Sequence, residues 1–338
     1  MKAKILNHQA PGGKRTKLSR VVPLSTPYVV QIFPIYACNF KCNYCIFQIE
    51  KEERHFISNK VIMDLNLYKK CVDDMTHFPN KIKTLRFVGI GEPLLHKNII
   101  EMIQYTKEKD IANTVELITN ASLLTNNMSD KLIDLGLDRL VISLQGLTKE
   151  KYKQVCQYDI DMQEFINNIK YFYNNKKNTH LYIKIVDIAL DLGEEKKFYN
   201  LFENICDSIS IEHTVPIHTG IEVKEKEEGF TQFGLPIKDI DICPQPFIHL
   251  QINPDGVVVP CYSFDYPEIL GNVNIENVVD IWNGEKFDVF RLYMLDDFKC
   301  STCKECTIAK YRWFEEDNLE SVKNKLKDYY EQRILSNM

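Results

Sequence analysis

Three cysteines near the N-terminus read Cys38-Asn-Phe-Lys-Cys42-Asn-Tyr-Cys45, a C-x3-C-x2-C spacing. Three thiolates on one short loop can each ligate one iron of a cubane cluster, which leaves the fourth iron open to a small molecule. Zinc is the competing chemistry, because closely spaced cysteines also suit a tetrahedral ion. A structural zinc site wants a fourth ligand close by, and the nearest downstream histidine, His55, lies ten residues past Cys45. A second group, Cys243, Cys261, Cys300, Cys303 and Cys306, occupies the C-terminal third. It is rich enough for one further four-ligand cluster with one cysteine left over, or for a zinc knuckle stapling a core-poor module. Cys71, Cys156 and Cys206 stand alone and read first as buried thiols.

Composition narrows the partners. The chain has 338 residues, a net charge of −5 and 44% hydrophobic content, which fits a folded domain and not a polyanion-binding one. The basic run Lys14, Arg15, Lys17 and Arg20 reads as a solvated tail. No apolar stretch approaches the roughly 18 residues of a membrane helix, and the N-terminus lacks the apolar core of a signal peptide. A cytoplasmic protein is expected, with no nucleic-acid or membrane partner. In that reducing setting its cysteines are ligands, nucleophiles or core residues and not disulfides.

The elements that must hold these cysteines alternate. Strand patterns at residues 28–33, 84–88, 114–119, 139–143, 181–188 and 208–214 are separated by helical patterns at 59–77, 97–109, 130–135, 149–174 (broken by a turn) and 195–205. Such alternation predicts an α/β fold with a parallel sheet, curled by right-handed crossovers into a full or partial barrel whose site lies at the C-terminal strand ends. The expected domains are an extended leader (1–27), a barrel (28–220), a polar linker (221–242), a small module (243–314) and a C-terminal helix (315–338). In the module, Pro254-Asp255-Gly256 predicts the turn of a β-hairpin, followed by a short helix near 275–282.

The triad, with Tyr44 before its third cysteine, resembles the radical S-adenosylmethionine (SAM) superfamily, which carries it after the first strand of a partial (β/α)6 barrel. Further matches follow in that family's order, nearly all at strand ends. Gly89-Ile-Gly91-Glu92-Pro93 resembles its Gly-Gly-Glu-Pro element, with Ile90 in place of a glycine. The resemblance places it at the SAM amino group, where Glu92 supplies an acceptor for an ammonium. Thr119-Asn120 resembles its Thr-Asn-Gly, with Ala121 replacing the glycine, and implies Asn120 near the SAM ribose. Ser143 falls where a serine approaches the SAM carboxylate, and Lys184 is a candidate to pair with that carboxylate. The implied cofactors are a SAM-binding [4Fe-4S] cluster on Cys38, Cys42 and Cys45, and SAM itself. An electron donor such as flavodoxin or ferredoxin is the implied partner. The implied chemistry is reductive cleavage of SAM to a 5′-deoxyadenosyl radical that abstracts a hydrogen atom from substrate.

The C-terminal text, from Cys243-Pro-Gln-Pro through Asn-Pro-Asp-Gly256, Pro-Cys261 and Leu-Gly-Asn-Val to Ile-Trp282, resembles the SPASM or twitch extension of that superfamily. A two-cluster extension would want more cysteines, so one auxiliary [4Fe-4S] cluster is expected. Cys243, Cys261, Cys303 and Cys306 are the preferred ligands, with Cys300 as the rival. Such a cluster can take an electron from the substrate radical, anchor substrate or serve structure. Peptide-modifying relatives often carry a separate recognition domain, and only 37 residues precede Cys38. The expectation is therefore a small polar substrate, a sugar, cyclitol or aminoglycoside-like alcohol, that is oxidised or epimerised. The alternatives are modification of a ribosomal peptide or protein side chain and, in another class, a non-enzymatic iron–sulfur or zinc redox sensor, which would make no 5′-deoxyadenosine. Cys156 is a candidate hydrogen-atom donor. Asp187, Glu212, His213 and His218, near the last strand ends, are candidates to bind substrate or take a proton.

Overall fold

The computed structural model describes residues 2–6, 15–50, 54, 58–216, 229–262, 266–296 and 300–337. Strands β1 (Lys4–Ile5), β2 (Val29–Ile32), β3 (Thr84–Phe87), β4 (Val115–Thr119), β5 (Arg139–Leu144), β6 (His180–Val186), β7 (Ser208–Glu212), β8 (His249–Ile252), β9 (Val257–Val259) and β10 (Gly271–Asn272) form one sheet. Its order is β1-β7-β6-β5-β4-β3-β2-β8-β9-β10. Strands β2 to β7 are parallel and lie in chain order. The helices between them are α1 (Leu65–Met75), α2 (Ile99–Lys109), α3 (Asn126–Asp134), α4 (Lys149–Cys156), α5 (Met162–Asn175) and α6 (Glu195–Phe202). The barrel is open: β7 pairs onward with β1, and β2 with β8.

Local chemistry sets the helix starts. Asp64, Thr125, Thr148 and Asp161 each accept backbone N–H bonds at the entry to α1, α3, α4 and α5. The cap at Asp64 explains why α1 begins later than its apolar pattern does. The residues before it run extended, with Tyr36 N–H donating to Val61 O and Met63 N–H to Pro34 O. Likewise Thr125 starts α3 four residues ahead of the expected helix.

Period-2 alternation divides the sheet. Leu181, Ile183 and Ile185 of β6 join the helix-covered core, as do Leu140, Ile142 and Leu144 of β5. The opposite face is polar. Gln31, Arg86, Glu116 and Arg139 are register neighbours on four adjacent strands. Glu116, fully buried, pairs with Arg86 and, at 2.8 Å, with Arg139.

The C-terminal hairpin is not a detached module. β8 adds in parallel to β2 and then turns through Gly256 (φ +87°) into antiparallel β9, so the extension continues the barrel sheet. It is completed by α7 (Gln245–Ile248), α8 (Val278–Trp282), α9 (Glu285–Leu295), α10 (Ser301–Glu305), α11 (Ile308–Tyr311) and α12 (Lys323–Asn337). Helix α9 escaped the sequence reading because Asp288 and Arg291 interrupt its apolar run, yet both are buried. Arg291 donates to Pro246 O (3.0 Å), Trp282 O (3.1 Å) and Asp288 (3.1 Å), stitching α7, α8 and α9 together.

The leader also packs. Lys4 and Ile5 pair with Ser208 and Ile209 of β7, and Leu18 is buried. Arg15 is not a solvated tail residue: it bonds Asp317 (2.6 Å) and lies 4.0 Å from the centroid of the Phe314 ring. Lys14, the end of the expected barrel (217–220) and the first part of the expected linker (221–228) lie outside the described residues. Among the described residues no helix is long and apolar enough to cross a membrane.

Burial alone would push the Glu116 carboxyl up, but the charges of Arg86 and Arg139 outweigh it and hold it below the usual range. A depressed folded-state value stabilises the protein above the unfolded carboxylate range, near about 4.3, and the contribution is lost as pH falls through the folded value. Glu116→Gln is expected to cost about 3 kcal/mol at pH 7 by leaving two guanidinium groups uncompensated. In urea melts the gap between variant and parent should narrow as pH falls below that range.

Candidate functional site

The loop Cys38–Cys45 follows β2, and the next strand ends fasten it in place. Glu92 N–H donates to Ala37 O (2.8 Å), carrying the segment after β3 beneath the loop. Gly91 makes that approach possible: at φ +148°, an added Cβ would sit 2.2 Å from Ile35 O and 2.8 Å from Ala37 O. The Glu92 carboxylate then reaches the end of β4. Oε1 accepts from Thr119 Oγ1 (2.6 Å) and Leu94 N (2.9 Å), and Oε2 accepts from Asn120 N (2.7 Å). Asn120 Nδ2 donates to Asn39 Oδ1 (3.0 Å) and approaches Cys38 Sγ (4.0 Å). Asn39 donates in turn to Ser122 Oγ (2.8 Å). On the far side, Lys41 N–H and Asn43 N–H donate to Cys156 O (2.9 Å) and Val155 O (2.8 Å) at the end of α4. The Tyr44 hydroxyl donates to Gln145 Oε1, just past β5.

This arrangement revises two roles. Glu92 is 2% exposed and engages both oxygens with chain donors, so it holds the loops together and does not stand open to an ammonium. Lys184 is not awaiting a carboxylate: it pairs with Glu212 at 2.7 Å. Glu212 also accepts from Tyr182 (3.1 Å) and Gln232 (2.7 Å). Burial opposes its ionisation, but Lys184 and these donors hold its carboxyl below the usual range. Ser143, half-buried, is the register neighbour of Lys184 on the inner face. Gly91 and Asn120 therefore meet the cysteine loop directly, and Ser143 lies on the next strand, β5.

The thiols lie within electrostatic reach of one another. Burial pushes Cys38 up to about 12, with the charges of Glu92 and Cys45 adding to it. Cys42 is raised by its hydrogen bond with Cys156 and then by burial and its two partner cysteines, and Cys45 is raised by burial. Three crowded thiols, Cys42 buried and Cys38 and Cys45 half-buried, ionise together only against strong positive charge, which iron would supply. Among the described residues no three His, Cys, Asp or Glu side chains converge as the ligands of a single metal ion would. Three cysteines on one loop can each take one iron of a cubane and leave the fourth open, so the donor set fits an iron–sulfur cluster.

In the extension, burial raises Cys303, and Cys300, Cys261 and Cys243 add to the shift; Cys300 also shares a hydrogen bond with it. Cys306 follows α10 and is half-buried. Cys71 and Cys206 are core thiols, each fully buried. Cys156 is likewise 0% exposed and packs behind the cysteine loop, which removes it from the substrate side as a hydrogen-atom donor.

At the last strand ends, Asp187 receives Thr214 N (3.0 Å) and Thr214 Oγ1 (2.5 Å) and bonds His213 Nδ1 (3.2 Å). Burial opposes its ionisation, but His213 and Thr214 hold its carboxyl low. His213 stacks on Phe230. His218 lies outside the described residues. Several contributors escaped the sequence reading. Gln145 keeps the inward phase of Ser143 two residues on, a signal period-2 counting offers. Asn39 and Ser122 are ordinary loop residues that sequence does not single out.

A radical SAM superfamily profile matches residues 32–190, and that of the SPASM iron–sulfur cluster-binding domain matches residues 243–307. A tungsten-containing aldehyde ferredoxin oxidoreductase cofactor-modifying protein of Pyrococcus furiosus is 26% identical over 317 residues, 80% of this chain and 85% of that protein. Among solved structures, SuiB of Streptococcus suis bound to S-adenosylmethionine superposes with a TM-score of 0.63 at 18% identity, covering 87% of this chain and 74% of SuiB. BtrN in complex with AdoMet and 2-DOIA superposes with a TM-score of 0.53 at 18% identity, covering 88% of this chain and 97% of BtrN. At such identities the likeness is one of fold. Two domain matches in the expected order, on an open barrel whose strand ends grip a three-cysteine loop, place the chain in the radical SAM superfamily, with a C-terminal SPASM-type domain, [4Fe-4S] clusters and S-adenosylmethionine as cofactors.

Proposed function

We propose that the protein is a radical SAM oxidoreductase or epimerase acting on a small polar substrate of the sugar, cyclitol or aminoglycoside-like class. The observation that carries this reading is the inner face of β8. Burial pushes His249 down to about 3, with the Arg86 charge adding, so its imidazole is neutral. Its Nε2 bonds Gln31 Oε1 (3.3 Å), and Nδ1 has no hydrogen-bond partner among the described residues. Asn253 Nδ2 donates to Val257 O, which turns Asn253 Oδ1 toward Gln251 Nε2 (2.9 Å). Gln251 Oε1 is then a second buried acceptor with no partner among the described residues. Two unmet acceptors on an inward polar face suit hydroxyl or ammonium donors. The Pyrococcus relative is itself named for modifying a cofactor.

Cys38, Cys42 and Cys45 would hold the SAM cluster, and Cys243, Cys261, Cys303 and Cys300 the auxiliary one, with Cys300 taking the place expected of Cys306. When bound, the first would supply one-electron reduction of SAM for hydrogen-atom abstraction from substrate, and the second would supply an electron acceptor. Gly91 lets the cysteine loop close against the turn after β3, while Asn120 and Ser143 would offer SAM side-chain hydrogen bonds. An alcohol oxidised at carbon must also release its hydroxyl proton, and His213, hydrogen-bonded to Asp187, is our candidate to take it.

Two measurements check this. Anaerobic turnover with SAM and reductant should raise 5′-deoxyadenosine well above the substrate-free level for some amino- or polyhydroxylated ring compound. Carbon-bound deuterium of that compound should appear in the 5′-deoxyadenosine, and His213→Ala should lower kcat by roughly 100-fold. Stimulation by peptides alone would overturn the reading. Separately, with Cys38, Cys42 and Cys45 all changed to Ala, a further Cys300→Ala change should abolish the remaining iron–sulfur absorbance, and Cys306→Ala should retain most of it.

A further inference from the structure

We infer that Arg86, His249 and Gln251 form a recognition subsite for an acidic polyol, the guanidinium taking a phosphate or carboxylate and the two unmet acceptors taking neighbouring hydroxyl groups. The inference deepens the small-polar-substrate reading and rests on it.

Strand register brings the three residues together. Gln31 of β2 lies between Arg86 on β3 and Gln251 on β8, in register with both. Its Oε1 also meets His249 Nε2 at 3.3 Å. An amide oxygen can only accept, so Nε2 carries the imidazole proton and Nδ1 is a lone-pair acceptor. His249 Nδ1 and Gln251 Oε1 have no hydrogen-bond partner among the described residues, and the two residues are 2% and 0% exposed. Buried acceptors left without donors are costly, and here they mark a place where a ligand supplies the donors.

Charge decides what accompanies those donors. Arg86 and Arg139 share a single carboxylate, that of Glu116 on the strand between them. Arg86 spends Nε on it and Arg139 spends Nη1, which leaves both terminal nitrogens of Arg86 without a partner among the described residues. The Glu116 side chain is 1% exposed and that of Arg86 26%, so the carboxylate is sealed while the guanidinium still reaches open space. Further round the same face Lys184 and Glu212 cancel each other. One positive charge is therefore left over beside the two acceptors. An ammonium placed there meets like charge, and a neutral polyol leaves the guanidinium unanswered. A phosphate or carboxylate answers it with charge-assisted bonds in the fork geometry of arginine. Sugar acids and sugar phosphates are thereby favoured over amino sugars.

The test is calorimetric binding to reconstituted protein without reductant, with SAM saturating so that its own carboxylate is already placed. Inorganic phosphate and acetate are the bare-anion probes. At least one should bind the parent, and the tighter of the two names the group. Arg86→Gln should weaken that binding roughly tenfold or more, with part of it recovered in Arg86→Lys. Glu116→Gln should tighten it roughly tenfold by releasing both guanidinium groups, a gain that misfolding cannot imitate. Glycerol, 3-amino-1,2-propanediol, racemic glycerate and racemic glycerol 1-phosphate then form a matched series. The acidic members should bind several-fold tighter than the bare anions and lose that advantage in Gln251→Leu, and the amine should bind weakest. The inference is overturned if neither anion binds, if parent, Arg86→Gln and Glu116→Gln bind it equally, if the acidic polyols gain nothing over the bare anions, or if the amine binds tightest. Failure of the underlying reading would look different: peptides alone would stimulate 5′-deoxyadenosine formation, whatever the anions do.

Discussion

The buried carboxylate of Glu92 joins the parts on which the site depends. Its own N–H grips the cysteine loop after β2, and its oxygens take the turn after β3 and the end of β4. Burial raises its pKa while the three donors pull part of the way back, and they satisfy both oxygens where solvent is absent. Removing the carboxylate would release three strand-end connections together. A substitution here would therefore loosen the cysteine loop itself.

The same constraint explains why the extension matters to the barrel. β2 is clasped on one side by β3 and on the other by β8, so the strand that launches the cysteine loop is interior to the sheet and not at its edge. The extension thus holds up the SAM site while bringing His249 and Gln251 to its inner face. Arg291 and Asp288 secure that extension from below, a buried charge pair whose worth lies in fixing three helices at once.

Much of this was legible in the residues. The six barrel strands follow from β-branched runs bounded by turns, and the cysteine spacings and the Gly-Glu-Pro turn mark the site because few other chemistries need those residues so placed. What the sequence hid is tertiary. A carboxylate reads as a ligand until the fold is known, and only the fold shows Glu92 meeting two backbone N–H groups and the Thr119 hydroxyl. Lys184 and Glu212 lie 28 residues apart and meet only because β6 and β7 pair. Helix α9 was obscured because a buried Arg–Asp pair breaks the apolar period. Cys300 and Cys306 are each three positions from Cys303, and it is the helical turn of α10 that sets Cys300 beside it.

The central claim is that the three-cysteine loop makes this chain a SAM-cleaving enzyme. The most direct test is to reduce anaerobically reconstituted protein with SAM present and measure 5′-deoxyadenosine and methionine beside iron content. The parent should hold about eight irons, as two cubanes require, and the Cys38→Ala/Cys42→Ala/Cys45→Ala variant about four. Only the parent should form 5′-deoxyadenosine. A parent that binds zinc and no iron, or holds its iron yet leaves SAM intact, would contradict the account.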